Sequence, residues 1–222
     1  DHYNKVKLYY QPSFKFDGVN DVITVPDSNT LDLVNQSFSL EAWLYINNLS
    51  LTPGSTSNVL FTKQPSTRTS FIVGLNKDGT IRYDMAGCAN DLSLTTPFSV
   101  GNWQHFIFNV NGVSSSSGTI TVYRNGILVS TVTDSCITPG VMNNENLQIG
   151  QGGGTYTGNF NGSIQNVRIY NRSLSANQIL ENYNSYNTSS LNKLVSDETT
   201  AGRTYKASLY ASDTYADSLQ VN

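Results

Sequence analysis

The chain has 222 residues and a formal net charge of -3, enough length for one domain burying roughly 70% of its unfolded surface. Only 13% of residues are charged, and a pI near 5.2 argues against the clustered Lys and Arg of a nucleic-acid groove. No apolar run approaches the ~20 residues of a membrane helix, so no membrane span is expected.

The sequence opens at Asp1 without an initiator Met, which reads as a processed chain or a piece of something longer. Scarce charge beside abundant Asn, Ser and Thr points to an extracellular or particle-surface setting, secreted, cell-surface or virion. Residues 1–13, with Tyr3, Tyr9 and Tyr10, read as a lead-in or linker. From Phe14 to Tyr170 the dominant pattern is period-two alternation. Phe38, Leu40, Ala42, Leu44 and Ile46 fall on one face of an extended segment, and Ser39, Glu41, Trp43 and Tyr45 on the other. Further strands are expected at Val22–Val25, Val59–Lys63, Ser70–Leu75, Thr80–Met85, Trp103–Val110, Thr119–Arg124, Ile127–Thr133, Leu147–Gly150 and Ser163–Tyr170. Asp78-Gly79 and Asn125-Gly126 separate pairs of them and favour tight primed turns, because these residues tolerate positive φ. Ser114–Ser117 and Gly152–Gly154 read as flexible loop tips.

One helix is expected. Ser175 and Gln178 form a capping box, and Leu174 with Ile179 a hydrophobic staple. Ile179, Leu180 and Tyr183 supply its apolar stripe. Many short strands, hairpin turns and a single short C-terminal helix predict an all-β sandwich of two antiparallel sheets over residues 14–187. Residues 188–222 carry almost no branched aliphatics after Val195 and read as a C-terminal arm or linker that cannot fold alone.

Cys88 and Cys136 make one available disulfide pair; bridging them would close a loop worth ~4 kcal/mol, and two free thiols are the other reading. N-glycosylation sequons stand at Asn35, Asn48, Asn161, Asn171 and Asn187, a number that chance supplies in so Asn-, Ser- and Thr-rich a chain.

The segment Phe16-Asp17-Gly18-Val19-Asn20-Asp21, followed by Val22-Ile23-Thr24-Val25-Pro26, resembles the opening of laminin-G-like, concanavalin A-like jelly-roll domains. Phe38 to Leu44, Asn102 to Phe106 and Tyr123 to Gly126 match further motifs of that family. The closing match, Phe160 to Ser175, is the most specific. The resemblance covers roughly residues 14–185 and implies two curved sheets packed face to face, usually with a non-catalytic recognition or adhesion role. It also implies that Trp43 and Trp103 sit at core-packing positions, not sugar platforms. The family often carries one structural calcium near the rim. Asp17 matches one of its acids, while Gln165 stands where the second is expected, so one reading is a weak site from Asp17, Asn20, Gln165 and nearby carbonyls, and the other an ordinary turn-capping Asp17. Ile164 and the pair Val167/Ile169 have opposite parity, which calls for a bulge near Gln165-Asn166.

Glycoside hydrolases share this fold class, but they need two carboxylates flanking the scissile bond. Glu41 stands alone in its strand, Asp78 sits in a turn and Glu145 in an Asn-rich loop. His105 reads as a structural histidine, and two His with two Cys give no zinc spacing. The expectation is therefore no enzyme, but a module binding a glycan or cell-surface protein. Tyr156, Asn159 and Asp91 are generic loop candidates for sugar contact. The alternative is a structural subunit of a filament, sheath or virion surface, a homo-oligomer assembled through residues 188–222.

Overall fold

The computed structural model describes residues 13–187, apart from 34–35, 51–54, 56, 64–69, 86–87, 112–116, 136–143 and 154–155. Residues 1–12 and the arm expected at 188–222 lie outside the described residues, as does the assembly role expected of that arm.

Among the described residues, fourteen strands, a 3-10 turn at Asn29–Leu31 and one α-helix follow in chain order. The strands are β1 Phe14–Asp17, β2 Ile23–Val25, β3 Phe38–Asn48, β4 Asn58–Thr62, β5 Phe71–Leu75, β6 Ile81–Met85 and β7 Cys88–Leu92. Then come β8 Trp103–Asn111, β9 Gly118–Arg124, β10 Ile127–Asp134, β11 Leu147–Ile149, β12 Gln151–Gly153, β13 Tyr156–Asn159 and β14 Asn161–Tyr170, with α1 at Ala176–Asn187. Two six-stranded antiparallel sheets result. The first has the order β1-β14-β3-β8-β9-β10 and the second β2-β11-β4-β5-β6-β7. The antiparallel sandwich expected from the alternation, and the jelly roll implied by the resemblance, are the fold observed. β7 and the β12–β13 hairpin carry no clean alternation, and the hairpin overlaps the stretch expected to be a loop tip.

The core lies between the sheets. Leu40, Ala42, Leu44 and Ile46 of β3 are fully buried there with Phe106, Phe108 and Val110 of β8, against Leu60, Phe61, Val73 and Leu75 of the second sheet. Side chains alternate along a strand, so Ser39, Glu41, Trp43 and Tyr45 necessarily occupy the outer face of the first sheet.

Register is pinned at three places. Asn125 (φ 54°) and Gly126 (φ 76°) are both left-handed, as a type I′ hairpin between β9 and β10 demands. At the Asp78-Gly79 turn only Gly79 is left-handed (φ 79°). Its amide donates to Asn76 O at 3.0 Å and the Asn76 amide to Thr80 O at 2.9 Å, so this is a type I turn with a glycine bulge, not a primed turn. The Asp78 carboxylate favours that form by accepting from the Thr80 amide at 3.0 Å. The third place is the bulge expected in β14: pairing with β3 shifts between Gln165 and Arg168, and Asn166 takes φ 50°. Ile164 and, beyond the shift, Val167 and Ile169 thereby all pack on the core.

A buried ion cluster that no sequence pattern announced closes one end. Lys63, just past β4, is almost wholly buried, its Nζ 2.7 Å from Asp27 and 3.1 Å from Asp32 and donating to Glu145 O at 3.0 Å. A buried ammonium is tolerated only when so paired, and this one ties the ends of three segments together.

Left-handed backbone costs a branched residue about 1–2 kcal/mol. Asn166→Val should lower unfolding free energy by about that amount in urea titration, and Asn166→Gly should leave it within about 0.5 kcal/mol.

Candidate binding surface

Where the chain leaves β14, Asn109 of β8 holds both sides of Leu174. Its Oδ1 accepts from the Leu174 amide at 3.0 Å and its Nδ2 donates to Leu174 O at 3.2 Å. Ser39 adds a bond to Arg172 O at 2.9 Å. The capping box then forms as expected: the Gln178 amide donates to Ser175 Oγ at 3.3 Å, and the Ser175 amide to Gln178 Oε1 at 3.0 Å. The staple pair Leu174 and Ile179 packs with Ile107 and Tyr123 on the outer face of the first sheet. The stripe differs from expectation at one residue. Leu180 is exposed, while Tyr183 faces the sheet as expected and Asn182 and Tyr186 join it there.

Under α1 lies a closed polar network centred on Glu41. Its Oε1 is 2.9 Å from His105 Nε2, and its Oε2 accepts from Tyr170 Oη at 2.8 Å and Asn182 Nδ2 at 2.9 Å. The Arg168 guanidinium stands 3.6 Å away. Burial alone would raise the Glu41 pKa, but the hydrogen bond and charge of His105, the Arg168 charge and the Tyr170 hydroxyl outweigh it and hold the carboxyl below its usual value. Burial, and next the Glu41 charge, push the Tyr170 phenol well above its ordinary range. His105 Nδ1 has no hydrogen-bond partner, so Nε2 carries the proton given to Glu41. Trp43 is roofed by Tyr186, with ring centroids 4.0 Å apart, and by Tyr183 at 5.7 Å, while His105 flanks it at 5.3 Å. This half of the face is sealed. A carboxylate with its oxygens engaged and no solvent access can neither protonate a glycosidic oxygen nor attack a sugar carbon, and His105 meets no nucleophile.

The other half is open. Lys15 of β1 pairs with Ser163 of β14, Ser163 with Tyr45 of β3, and Tyr45 with Trp103 of β8, so the four side chains form one row across four strands on the outer face. Trp103 is 37% exposed, and its ring meets Tyr45 edge-on with centroids 5.6 Å apart. The core position implied for Trp103 by resemblance is corrected here. Its parity with His105 sends it outward, and α1 does not reach it. Trp43 is buried, but beneath the helix and not between the sheets. No protein group bonds the Tyr45 hydroxyl, the Ser163 hydroxyl or the Trp103 indole N–H among the described residues. Alongside runs a second polar row in which Asn47 Nδ2 donates to Asn161 Oδ1 at 3.2 Å and Asn161 Nδ2 to Asp17 O at 3.0 Å. A part-exposed indole and a half-buried tyrosine ring beside amide and hydroxyl groups can meet the C–H and O–H groups of a sugar.

The three residues expected to hold calcium do not converge. Asp17 and Asn20 share one turn, where Asp17 Oδ1 accepts from the Val19 amide at 2.7 Å and the Asn20 amide at 3.4 Å. Gln165 lies four residues along β14 from Asn161, the partner of Asp17, so roughly 13 Å separates them at ~3.3 Å per residue. Its amide instead donates to the Tyr186 hydroxyl. No cluster of three His, Cys, Asp or Glu occurs among the described residues. Of the loop candidates, Asp91 is committed to Arg82 at 3.1 Å and Asn76 at 3.0 Å.

Among the sequons, Asn48 is exposed and accepts from the Ser50 amide at 2.8 Å. Asn161 is half-buried within β14, Asn171 is exposed just past it, and Asn187 ends α1. Asn35 and Cys136 lie outside the described residues, and with Cys136 the disulfide expected to Cys88, whose backbone opens β7.

Two antiparallel sheets closed over one core, with a helix on one outer face, define a lectin-like jelly roll. The profile of the concanavalin A-like lectin/glucanases superfamily matches residues 17–180, and the chain belongs to that superfamily. No curated protein sequence matches it. The native heptameric SAP-like pentraxin from Limulus polyphemus is similar at TM-score 0.50 and 16% identity, over 76% of this chain and 79% of that one. The binding domain of botulinum neurotoxin DC, solved in complex with rat synaptotagmin II, is similar at TM-score 0.56 and 15% identity, over 83% and 44%. A structure of botulinum neurotoxin type C, whose cell entry depends on interaction with two ganglioside molecules, gives TM-score 0.55 and 14% identity, over 78% and 42%. The match thus spans under half of each neurotoxin chain, and at these identities the likeness is one of fold. No helix among the described residues is long and apolar enough to cross a membrane.

A carboxyl held below its ordinary pKa contributes stability that is present above that value, about 4.3, and lost as pH falls through the lower folded one. Melting temperature should therefore fall from about pH 4.5 downward, and Glu41→Gln should flatten that part of the profile while lowering the plateau at pH 7.

Proposed function

We propose that this domain is a non-catalytic recognition module, working outside the cell or on a particle surface, that binds a glycan across the Lys15–Ser163–Tyr45–Trp103 row. The observation that carries this reading is Trp103, an indole 37% exposed on a strand, beside a tyrosine ring and polar groups without protein partners. Superfamily membership supports a binding role, since lectins share the fold. The enclosed Glu41 supports the absence of hydrolysis at this face. The neurotoxin similarity lends support to both ganglioside-like glycans and protein partners as ligands of a domain of this shape.

A glycan array followed by titration calorimetry tests the reading. Trp103→Ala should weaken binding of any hit by at least about tenfold while changing unfolding free energy by no more than about 0.5 kcal/mol. Undiminished binding by Trp103→Ala would remove this face from consideration.

A further inference from the structure

We infer that the ligand of this face is an acidic oligosaccharide, with a carboxylate or sulfate meeting Lys15 and a sugar ring lying on Tyr45 and Trp103. The inference rests on the glycan reading above and adds the ligand's charge and direction.

Of the described cations, Lys15 and Lys77 are exposed with neither ion pair nor hydrogen bond, and only Lys15 stands in the aromatic row. Lys63 is held by Asp27 and Asp32, Arg82 by Asp91, and Arg168 by Glu41. Arg124 donates to Pro97 O and Arg172 donates to Gln178. Lys15 is exposed and has neither ion pair nor hydrogen bond among the described residues, and it stands at the end of the row that carries the aromatic pair. Its strand is the edge of the first sheet, so no further strand among the described residues crowds it.

No described acid forms an ion pair with it. Opposite and diagonal on β14 are Ser163, Asn161 and Gln165, all neutral. The acid on its own strand, Asp17, keeps its charge but turns its carboxylate to the Val19 and Asn20 amides, and Asp21 accepts from the Asp17 amide at 2.8 Å, so neither pairs with Lys15. The chain as a whole is acidic at -3, so it exerts no general attraction on polyanions, and any preference for an acidic sugar has to be local.

The span sets the ligand's size. Three inter-strand spacings separate Lys15 from Trp103, roughly 14 Å at ~4.8 Å each. One hexose cannot bridge that distance. An oligosaccharide lying across the strands can, with its apolar ring face at β3–β8 and its acid at β1. The Ser163 hydroxyl, between the two, faces the linking portion.

Calorimetry with two matched pairs tests this: an oligogalacturonate with its methyl ester, and a sulfated galactan oligosaccharide with its desulfated form. The acidic member of at least one pair should bind about threefold or more tighter than its neutral partner, the scale of one exposed ion pair. Which pair shows the advantage tells carboxylate from sulfate. Lys15→Gln should erase the advantage, Lys15→Glu should reverse it, and raised salt should shrink it in the native protein. Neutral and acidic forms that bind alike, lose affinity in Trp103→Ala and ignore Lys15→Gln would overturn the inference and leave the glycan reading standing. Binding of any probe that ignores Trp103→Ala, or no binding of all four, would overturn both.

Discussion

Helix α1 covers only part of the outer face of the first sheet, and the chemistry of the domain depends on where that cover stops. Its position is fixed before the helix begins, because Asn109 clasps the backbone of Leu174 on both sides. From there Ile179 drops onto Ile107 and Tyr123, and Asn182 reaches Glu41. A carboxylate so deeply enclosed has a large cost if left unpaired, and its three hydrogen bonds from β8, β14 and α1 offset that cost only in one arrangement of the helix. The Glu41 network thus fixes the boundary between a sealed half-face and an open one.

That boundary gives two tryptophans of similar sequence setting opposite roles. Trp43 and Trp103 both lie in strands and both point away from the core, in adjacent rows. Tyr186 and Tyr183 cover the first and nothing among the described residues covers the second. A rigid sheet presenting one uncovered aromatic row suits recognition better than chemistry, since the sheet fixes the geometry of the rings while the nearest acid is already spent. Membership in a superfamily that includes glucanases does not alter this, because catalysis belongs to sites and not to folds.

Much of the architecture was readable in the alternation. The split of β3 into a greasy and a polar face, the capping box and the bulge at Gln165–Asn166 all follow from local parity and spacing, which the chain carries residue by residue. The site was only half readable. Parity puts Tyr45 on the outer face and Trp103 in phase with His105, but it cannot say which outer residues a distant helix will cover. Register likewise decides that Lys15, Ser163, Tyr45 and Trp103 share a row, and the pairing of Lys15 with Ser163 joins residues 148 apart in order. The expected grouping of Gln165 with Asp17 failed for the same reason. Both lie on one face, four residues out of register. Lys63, at a strand end with its acids about thirty residues earlier, left no local trace at all.

The two tryptophans allow a direct test of the central claim, because each indole N–H gives a separate resonance in a nitrogen-correlated NMR spectrum. On titration with a bound oligosaccharide, the Trp103 indole should shift in proportion to saturation while the Trp43 indole, beneath its tyrosine roof, stays fixed. A ligand that moved Trp43, or perturbed only the second sheet and left Trp103 unmoved, would contradict the account.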